Sequence, residues 1–591
     1  MNSNQIVALC VGLSILCVVL GVLANKSHID SKNNTLFFKK WLYISFILCI
    51  NTLGCVGVYY FHDIKVLFYV ILVMKLKDVL CCIMFIFNMI IKGIHACIKK
   101  NMKYNDDLTI KSINSNKFAL YGFIRKLLNL NESETTSGDN FSNDRYENVV
   151  AFIPVYNETF DQLVKTVDSV ISNNLKDEYV FTCIISDGND EYVNILDDIF
   201  QSSDYIYKSW TNESVNAKIH YGMRNNKGMM LIVKDKIHGK KDSFILCNEI
   251  FNHLCENIKS STNILREYVR NELDTLYNLN EFNYIFCTDA DSVVNENTIP
   301  NLVESIKLKN AVAACGIVNA DLSNGNMFWT NIQNYQYLYG QYIIRTNEDL
   351  MNQVMCLPGC ITMFKINEEA KNALLKFSSL PDEKNLIQCN THYIGTDRKY
   401  TSCIIQTNKN AKIVLDTRCH VYTVPPNNWI SYINQRRRWC SNMYFNSMNN
   451  VIAPNINILL RLFTILDIVR LSLVYFRLFN TAYLLYLIVI TFKDQNIIRF
   501  VPLIIFVALP TFCFLVYSIF NGHLRKQYIK FLIMSIINKI FTLLSTIIVF
   551  TVMLININSF QWSIAKKDKT KRYGVFFNRK NIEDENGFMI A

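Results

Sequence analysis

Nineteen cysteines occur in 591 residues, yet no two are spaced as CxxC, and many sit inside apolar runs such as "VLCCIMFIFN" (79–88). That pattern excludes a thiolate zinc site and a secreted disulfide framework, so the thiols read as small apolar side chains in a reducing compartment. A concentrated basic arm is also missing. The net charge is +11, but Lys and Arg are spread along the flanks of apolar runs, which argues for membrane topology and against nucleic acid as the partner. No internal repeat is visible. The first apolar run, "IVALCVGLSILCVVLGVLA" (6–24), has no basic stretch ahead of it and so reads as a retained anchor, not a cleaved signal peptide.

What the chain does have is apolar length. Hydrophobic residues make up 51% of it and the mean hydropathy is +0.14, which suits a membrane protein carrying a globular domain. Apolar stretches at 6–24, 42–61 and 66–94 predict three N-terminal spans within region 1–98, with the basic segments around 26–40 and 92–126 inside. Lys75, Lys77 and Asp78 interrupt the third stretch. Because a mid-membrane charge costs about 2.5–3.5 kcal/mol on insertion scales, residues 79–94 read alternatively as an interfacial helix. With three spans, the sequon at Asn33 would be cytosolic and unglycosylated.

Region 99–147 combines a basic segment with the polar, acidic linker "NESETTSGDNFSND" (131–144). From 148 to 450, apolar runs such as "VVAFIPVY" (149–156), "YVFTCIIS" (179–186), "YIFCT" (284–288) and "AVAACGIV" (311–318) alternate with helix-like stretches, as in a mostly parallel α/β sheet. Residues 451–478 carry Arg461, Asp467, Arg470 and Arg477 among apolar neighbours and read as an interfacial helix. Region 479–556 holds three further apolar runs, and 557–591 is a polar tail whose "KKDKTKR" (566–572) three spans would put outside, against the charge rule.

Several polar clusters close apolar strands. "FCTDADSVV" (286–294) sets Asp289 and Asp291 two apart after a strand, where a pair of carboxylates can hold Mg2+ or Mn2+ on a diphosphate; a loop with solvated acids gives the same pattern. "FIPVYNET" (152–159) ends the first strand with Pro154, Tyr156, Asn157 and Glu158, and "IISDGND" (184–190) ends another with Asp187, although ordinary turn chemistry explains either one alone. "HGKKDSF" (238–244) places Lys240, Lys241 and Asp242 behind a glycine, suited to a diphosphate and a ribose or base, or simply to solvent. In "YIGTDRKYT" (393–401), Asp397 suits a general base or a surface pair with Arg398. "NQRRRW" (434–439) suits a positive-inside flank as well as a phosphate-binding fork beside a sugar-stacking indole.

In order, "FIPVYNET", "SDG", "GKKDS", "TDADS", "CLPGC" (356–360), "GTDR" and "QRRRW" resemble the motif series of the fungal-type chitin synthases, processive family-2 glycosyltransferases. The resemblance covers 149–440. It implies a polytopic α-helical membrane protein of the plasma membrane, with a cytosolic α/β domain of the Rossmann-like GT-A fold that polymerises N-acetylglucosamine from UDP-GlcNAc into a growing chitin chain. It also implies roles for particular residues. Pro154, Tyr156, Glu158, Asp187, Lys241, Asp242 and Asp289 would face the donor, with Arg438 at the leaving diphosphate. Asp289 and Asp291 would hold Mg2+ or Mn2+, and Asp397 would be the base. Gln435, Trp439 and the loop Cys356, Leu357, Pro358 and Gly359 would face the acceptor, together with the amphipathic "QNYQYLYGQY" (333–342). The partners implied are the nucleotide sugar, the polymer and the bilayer, with no nucleic acid; a homodimer is compatible. The chain departs from the family where Thr396 replaces the usual Glu before Asp397, a lost negative charge that would lower the pKa of Asp397. A hyaluronan- or cellulose-type synthase is the alternative within the class, and a transporter with a cytosolic regulatory domain the alternative outside it.

Overall fold

The computed structural model describes residues 34–61, 64–102, 147–173, 178–188, 190–255, 260–279, 281–323, 327–493 and 501–559. Two helices come first, α1 (Asn34–Phe61) and α2 (Ile64–Met102). The α/β domain opens with β1 (Glu147–Val155), α3 (Phe160–Ile171), β2 (Glu178–Asp187), β3 (Asp198–Lys208), β4 (Ser214–Arg224), β5 (Lys227–Lys234), α4 (Gly239–Phe251) and α5 (Ser260–Tyr277). It continues through β6 (Tyr284–Cys287), β7 (Ser292–Val294), α6 (Thr298–Lys309), β8 (Ala313–Ala320), α7 (Met327–Tyr339) and β9 (Thr362–Lys365). Next come α8 (Glu368–Ser378), α9 (Leu386–Tyr393), α10 (Asp397–Thr407), β10 (Ile413–Thr423) and α11 (Trp429–Val451). The chain then runs through α12 (Ile458–Ser472), α13 (Val474–Lys493), α14 (Val501–Phe520) and α15 (Tyr528–Ile555).

The ten strands among the described residues form one sheet in the order β3-β4-β5-β2-β1-β6-β9-β8-β10-β7. Alternate side chains of a strand point to opposite faces, and both faces of β1 are covered. Val149, Ala151 and Ile153 pack with Leu163, Val167 and Val170 of α3 on one side, whereas Val150 and Phe152 pack with Phe244 of α4 and Tyr400 of α10 on the other. Double burial is why these runs are apolar at every position.

The sheet is mixed, which corrects the mostly parallel expectation. β1 runs parallel to β2 and β6, β2 to β5, and β8 to β10, while β3–β4, β4–β5, β6–β9, β8–β9 and β7–β10 are antiparallel. A run apolar at every position records that both faces are buried and says nothing about direction. The β4–β5 hairpin turns on Asn225 and Asn226 with φ of 49° and 60°, the left-handed pair that a tight two-residue hairpin demands.

For the site, the shared direction of β1, β2, β5 and β6 matters most. Their carboxyl ends, Val155, Asp187, Lys234 and Cys287, meet along one edge, where open α/β sheets place their ligands.

Among the described residues, Lys39–Gly57 and Tyr528–Ile555 are long and apolar enough to cross a membrane, and Ile504–Phe520 is a shorter apolar helix. Residues 64–102 form one continuous helix, past the expected boundary at 98, so 79–94 is not a separate interfacial element. The charges that made it ambiguous are paired across helices, Lys77 with Asp467 of α12 and Asp78 with Arg470 of α12 at 3.1 Å. The segment expected as one interfacial helix to 478 breaks at Leu473, with α13 beginning at Val474. Residues 6–24, the linker 131–144 and the tail beyond 559 lie outside the described residues, as does Asn33 of the sequon.

Candidate active site

Beyond the carboxyl end of β2, Gly188 (φ +78°) turns the chain, and Gly239 (φ +80°) does so again at the start of α4. Both positions need the left-handed conformation that glycine adopts without strain. Asp187 joins the two turns, accepting the backbone N–H of His238 at 3.3 Å and of Gly239 at 2.9 Å. The fully buried ammonium of Lys234 lies 2.5 Å from Asp187 Oδ1 and 3.3 Å from Asp242 Oδ2. Asp242 is filled further by the Trp210 backbone N–H at 2.9 Å and the Tyr207 hydroxyl at 2.5 Å.

One turn of α4 carries the chemistry outward. Lys240 Nζ lies 2.5 Å from Asp289 Oδ1 and 3.5 Å from Asp397 Oδ1. Asp289 follows β6, and Asp397 is the first residue of α10. Against Lys240 and Asp397 sits Gly359 of the CLPGC turn, where an added Cβ would fall on Lys240 Nζ and Asp397 Oδ1; glycine lets these two groups pack against the turn. The loop is tied to α10, because the Leu357 N–H donates to Thr401 Oγ1 at 3.1 Å and that hydroxyl donates to the Asp397 carbonyl at 2.9 Å. Burial pushes the Asp397 carboxyl above its ordinary value, opposed by Lys240 and by a hydrogen bond from the Gly359 backbone. Thr396 itself makes no side-chain cap on α10.

Burial, then the neighbouring Asp289 and Glu158 carboxylates, pushes Asp291 up to about 7. Glu158 is held in place by the N–H groups of Tyr156 at 2.8 Å and Asn157 at 3.0 Å. Such crowding of negative charge suits a divalent cation, which would relieve it. Asp289 and Asp291 are the residues that would hold it; no group of three or more ligating side chains occurs among the described residues.

The QRRRW motif lies on α11, whose N-cap Asn428 accepts the Ser431 N–H. The Arg436 guanidinium lies 4.3 Å from the centroid of Trp439 and 5.3 Å from that of Tyr337, and it donates to Gln336 Oε1 at 3.2 Å. Trp439 is 45% exposed and tilts 43° to Tyr337 with centroids 5.9 Å apart. Gln435 hydrogen-bonds Tyr337, while its Oε1 is buried without a hydrogen-bond partner. Burial pushes the Arg438 guanidinium down to about 10, helped by Arg437. At Gly395 an added Cβ would strike Asn442 of α11, so the GTDR turn packs directly on the helix that bears QRRRW.

These placements divide the residues singled out from the sequence. Asp289, Asp291, Glu158, Asp397 and Gly359 converge, whereas Asp187 and Asp242 have their oxygens occupied from within. Lys241 points away: it is buried, 3.7 Å from the Trp210 ring centroid and 3.4 Å from His392 Nδ1. Burial, and next the Lys399 ammonium, pushes it well down. Pro154 lies in β1 one residue before its end. Lys240 is the lysine that faces Asp289 and Asp397, and Lys234, Tyr207 and Trp210 were not singled out at all. Neighbours on a helix point about 100° apart, so only one lysine of the pair can face the carboxylates. The sequence spacing does not say which.

A family model described as chitin synthase matches residues 226–572. Chitin synthase 8 of Gibberella zeae is 24% identical over 478 residues, covering 75% of this chain and 69% of that protein. Chitin synthase Vb of Fusarium oxysporum f. sp. lycopersici is 26% identical over 341 residues, covering 50% of this chain and 19% of that one. Among solved structures, a mannosyltransferase from Pyrobaculum calidifontis in complex with GDP-Man and Mn2+ is similar at a TM-score of 0.34 and 11% identity, covering 71% of this chain and 94% of that one. At that score the likeness carries no argument about this site.

Proposed function

Because the chain belongs to the chitin synthase family, we propose that it is a processive inverting glycosyltransferase adding N-acetylglucosamine from UDP-GlcNAc to a β-1,4-linked chain. The α/β domain would be cytosolic and of the GT-A type, with the helices around it forming a multi-pass assembly in the plasma membrane through which the polymer leaves. The observation that carries this reading is the meeting of Asp289 and Asp397 at one ammonium, Lys240, packed against Gly359, where a side chain would collide with both Lys240 and Asp397.

Asp397, raised in basicity by burial and at the mouth of the crevice, accepts the proton from O4 of the terminal sugar. The oxygen attacks the anomeric carbon in line with the departing UDP, which inverts that centre. Lys240 and Arg438 present positive charge to the diphosphate as it leaves. Asp289 and Asp291 would hold a divalent cation, which when bound supplies further positive charge at the diphosphate. The exposed face of Trp439 stacks on the apolar side of the acceptor pyranose.

An exit through the helices is supported by how α7 docks on them. Gln336 donates to Asn538 of α15 at 2.9 Å and Asn334 to Gln527 at 2.9 Å. A sugar chain needs such polar lining, since its hydroxyls would go unpaired in hydrocarbon.

The test is a donor panel. Purified protein offered labelled UDP-GlcNAc, UDP-glucose and UDP-glucuronate is expected to build polymer from the first alone, and chitinase should degrade all of it. Chitinase-resistant polymer containing glucose or glucuronate would overturn the donor assignment and favour a cellulose- or hyaluronan-type enzyme.

A further inference from the structure

Lys234 is the last residue of β5, and its side chain is fully buried. Its ammonium forms an ion pair with Asp187 Oδ1 at 2.5 Å and donates to Asp242 Oδ2 at 3.3 Å and Ser243 Oγ at 2.9 Å. Neither carboxylate stands alone. Asp187 grips the N–H groups of His238 and Gly239, which form the turn into α4. Asp242 lies on the first turn of α4 and anchors it to Tyr207 of β3 and to the backbone of Trp210. A lysine buried against two carboxylates at a strand end thus pins both ends of a short segment. That segment contains Lys240, the residue reaching Asp289 and Asp397.

We propose that Lys234 is a positioning residue: by holding Asp187 and Asp242 together it fixes the His238–Gly239 turn and aims Lys240 into the space where the donor diphosphate binds. It touches no substrate. Asp187 and Asp242 brace this turn, every oxygen of the two carboxylates having a partner inside the protein. The three oxygens surround a compact ammonium, whereas a guanidinium is larger and fixes all its donors in one plane.

The proposal rests on the reading that Lys240 contacts the diphosphate, and a double-mutant cycle separates the two claims. UDP affinity is measured by calorimetry on the full-length protein in detergent, for the parent, Lys234→Met, Lys240→Met and the double variant, with melting temperature recorded in parallel. Lys240→Met is expected to weaken UDP binding about fivefold or more, Lys234→Met to weaken it comparably, and the double variant to be little worse than either, because Lys234 acts only through Lys240 and members of one network are not additive. Lys234→Arg should not restore affinity even where it restores the melting temperature. Unchanged UDP affinity in Lys240→Met would overturn the reading beneath the proposal. A weakened Lys240→Met with an unaffected Lys234→Met, or losses that simply multiply in the double variant, would overturn the proposal alone. Should Lys234→Met not fold, Ser243→Ala and Tyr207→Phe remove one hydrogen bond each from the same cluster. Both must then weaken UDP binding in the parent and not in Lys240→Met, and failure of that pattern likewise overturns the proposal.

Discussion

Aspartates 289 and 291 stand two residues apart, yet their surroundings differ. Asp289 is 38% exposed and faces Lys240, while Asp291 is pushed up to about 7 by burial and by its acidic neighbours. A pair in which one member resists ionisation gains most from a cation. Chelation should therefore abolish sugar transfer, and added Mg2+ or Mn2+ should restore it. Asp289→Ala should lose the metal-dependent part of UDP binding together with rate, since one carboxylate does not replace two. Full turnover in excess EDTA would contradict the assignment. At this scale the sequence was legible where a motif fixes both residue type and strand end, as in TDADS. It was not legible where the partner is distant in the chain: nothing in "LIVK" (231–234) announces that Lys234 will meet Asp187, or that Lys240 and not Lys241 will reach Asp397, 157 positions further on.

Elements were readable when their pattern had a single cause. The run "VVAFIPVY" lies on β1, and "YVFTCIIS" on β2, because full burial leaves an unbroken apolar stretch. The antiparallel strands β3 and β4 went unrecognised since the outer one is largely exposed and reads polar, with Gln201, Ser202, Ser203 and Asp204 in its middle. Helix α11 is the element that decides between the two readings of NQRRRW. It packs against α15 and α12 and presents Trp439 beside Tyr337. A membrane-flank role asks only for an interfacial aromatic, so Trp439→Tyr would then change little. The sugar-platform role predicts weaker acceptor capture in Trp439→Tyr with UDP affinity intact. It also predicts that Trp439→Ala loses about tenfold or more in polymer formation, the worth of a stacked ring with its buried area, while UDP-GlcNAc hydrolysis persists. Normal polymer from correctly inserted Trp439→Ala protein would leave NQRRRW a topological feature.

For the whole molecule, polar side chains join the α/β domain to the apolar helices and those helices to one another. Asn347 donates to the Cys81 carbonyl of α2 at 2.9 Å, and Arg470 of α12 holds Asp78 of α2 at 3.1 Å. From the sequence alone, the charges at 75–78 made the third apolar stretch ambiguous; in three dimensions Lys77 and Asp78 are matched by Asp467 and Arg470, nearly four hundred residues away. Removing one partner leaves the other stranded, so Asp78→Leu should lower stability by about 1–3 kcal/mol, between the worth of surface and buried pairs. The exchanged pair Asp78→Arg with Arg470→Asp should recover part of that in a detergent melting curve. The same assembly delivers α10, α11 and the CLPGC turn to one edge of the sheet, and the account stands on what that edge does. The most direct test is the rate of transfer from UDP-GlcNAc by Asp397→Asn, with UDP affinity measured on the same preparation. The isostere keeps the shape and loses the basicity, so the rate should fall roughly 10²–10⁴-fold while UDP affinity stays near that of the parent. Transfer at the parent rate would contradict the account and place the base elsewhere.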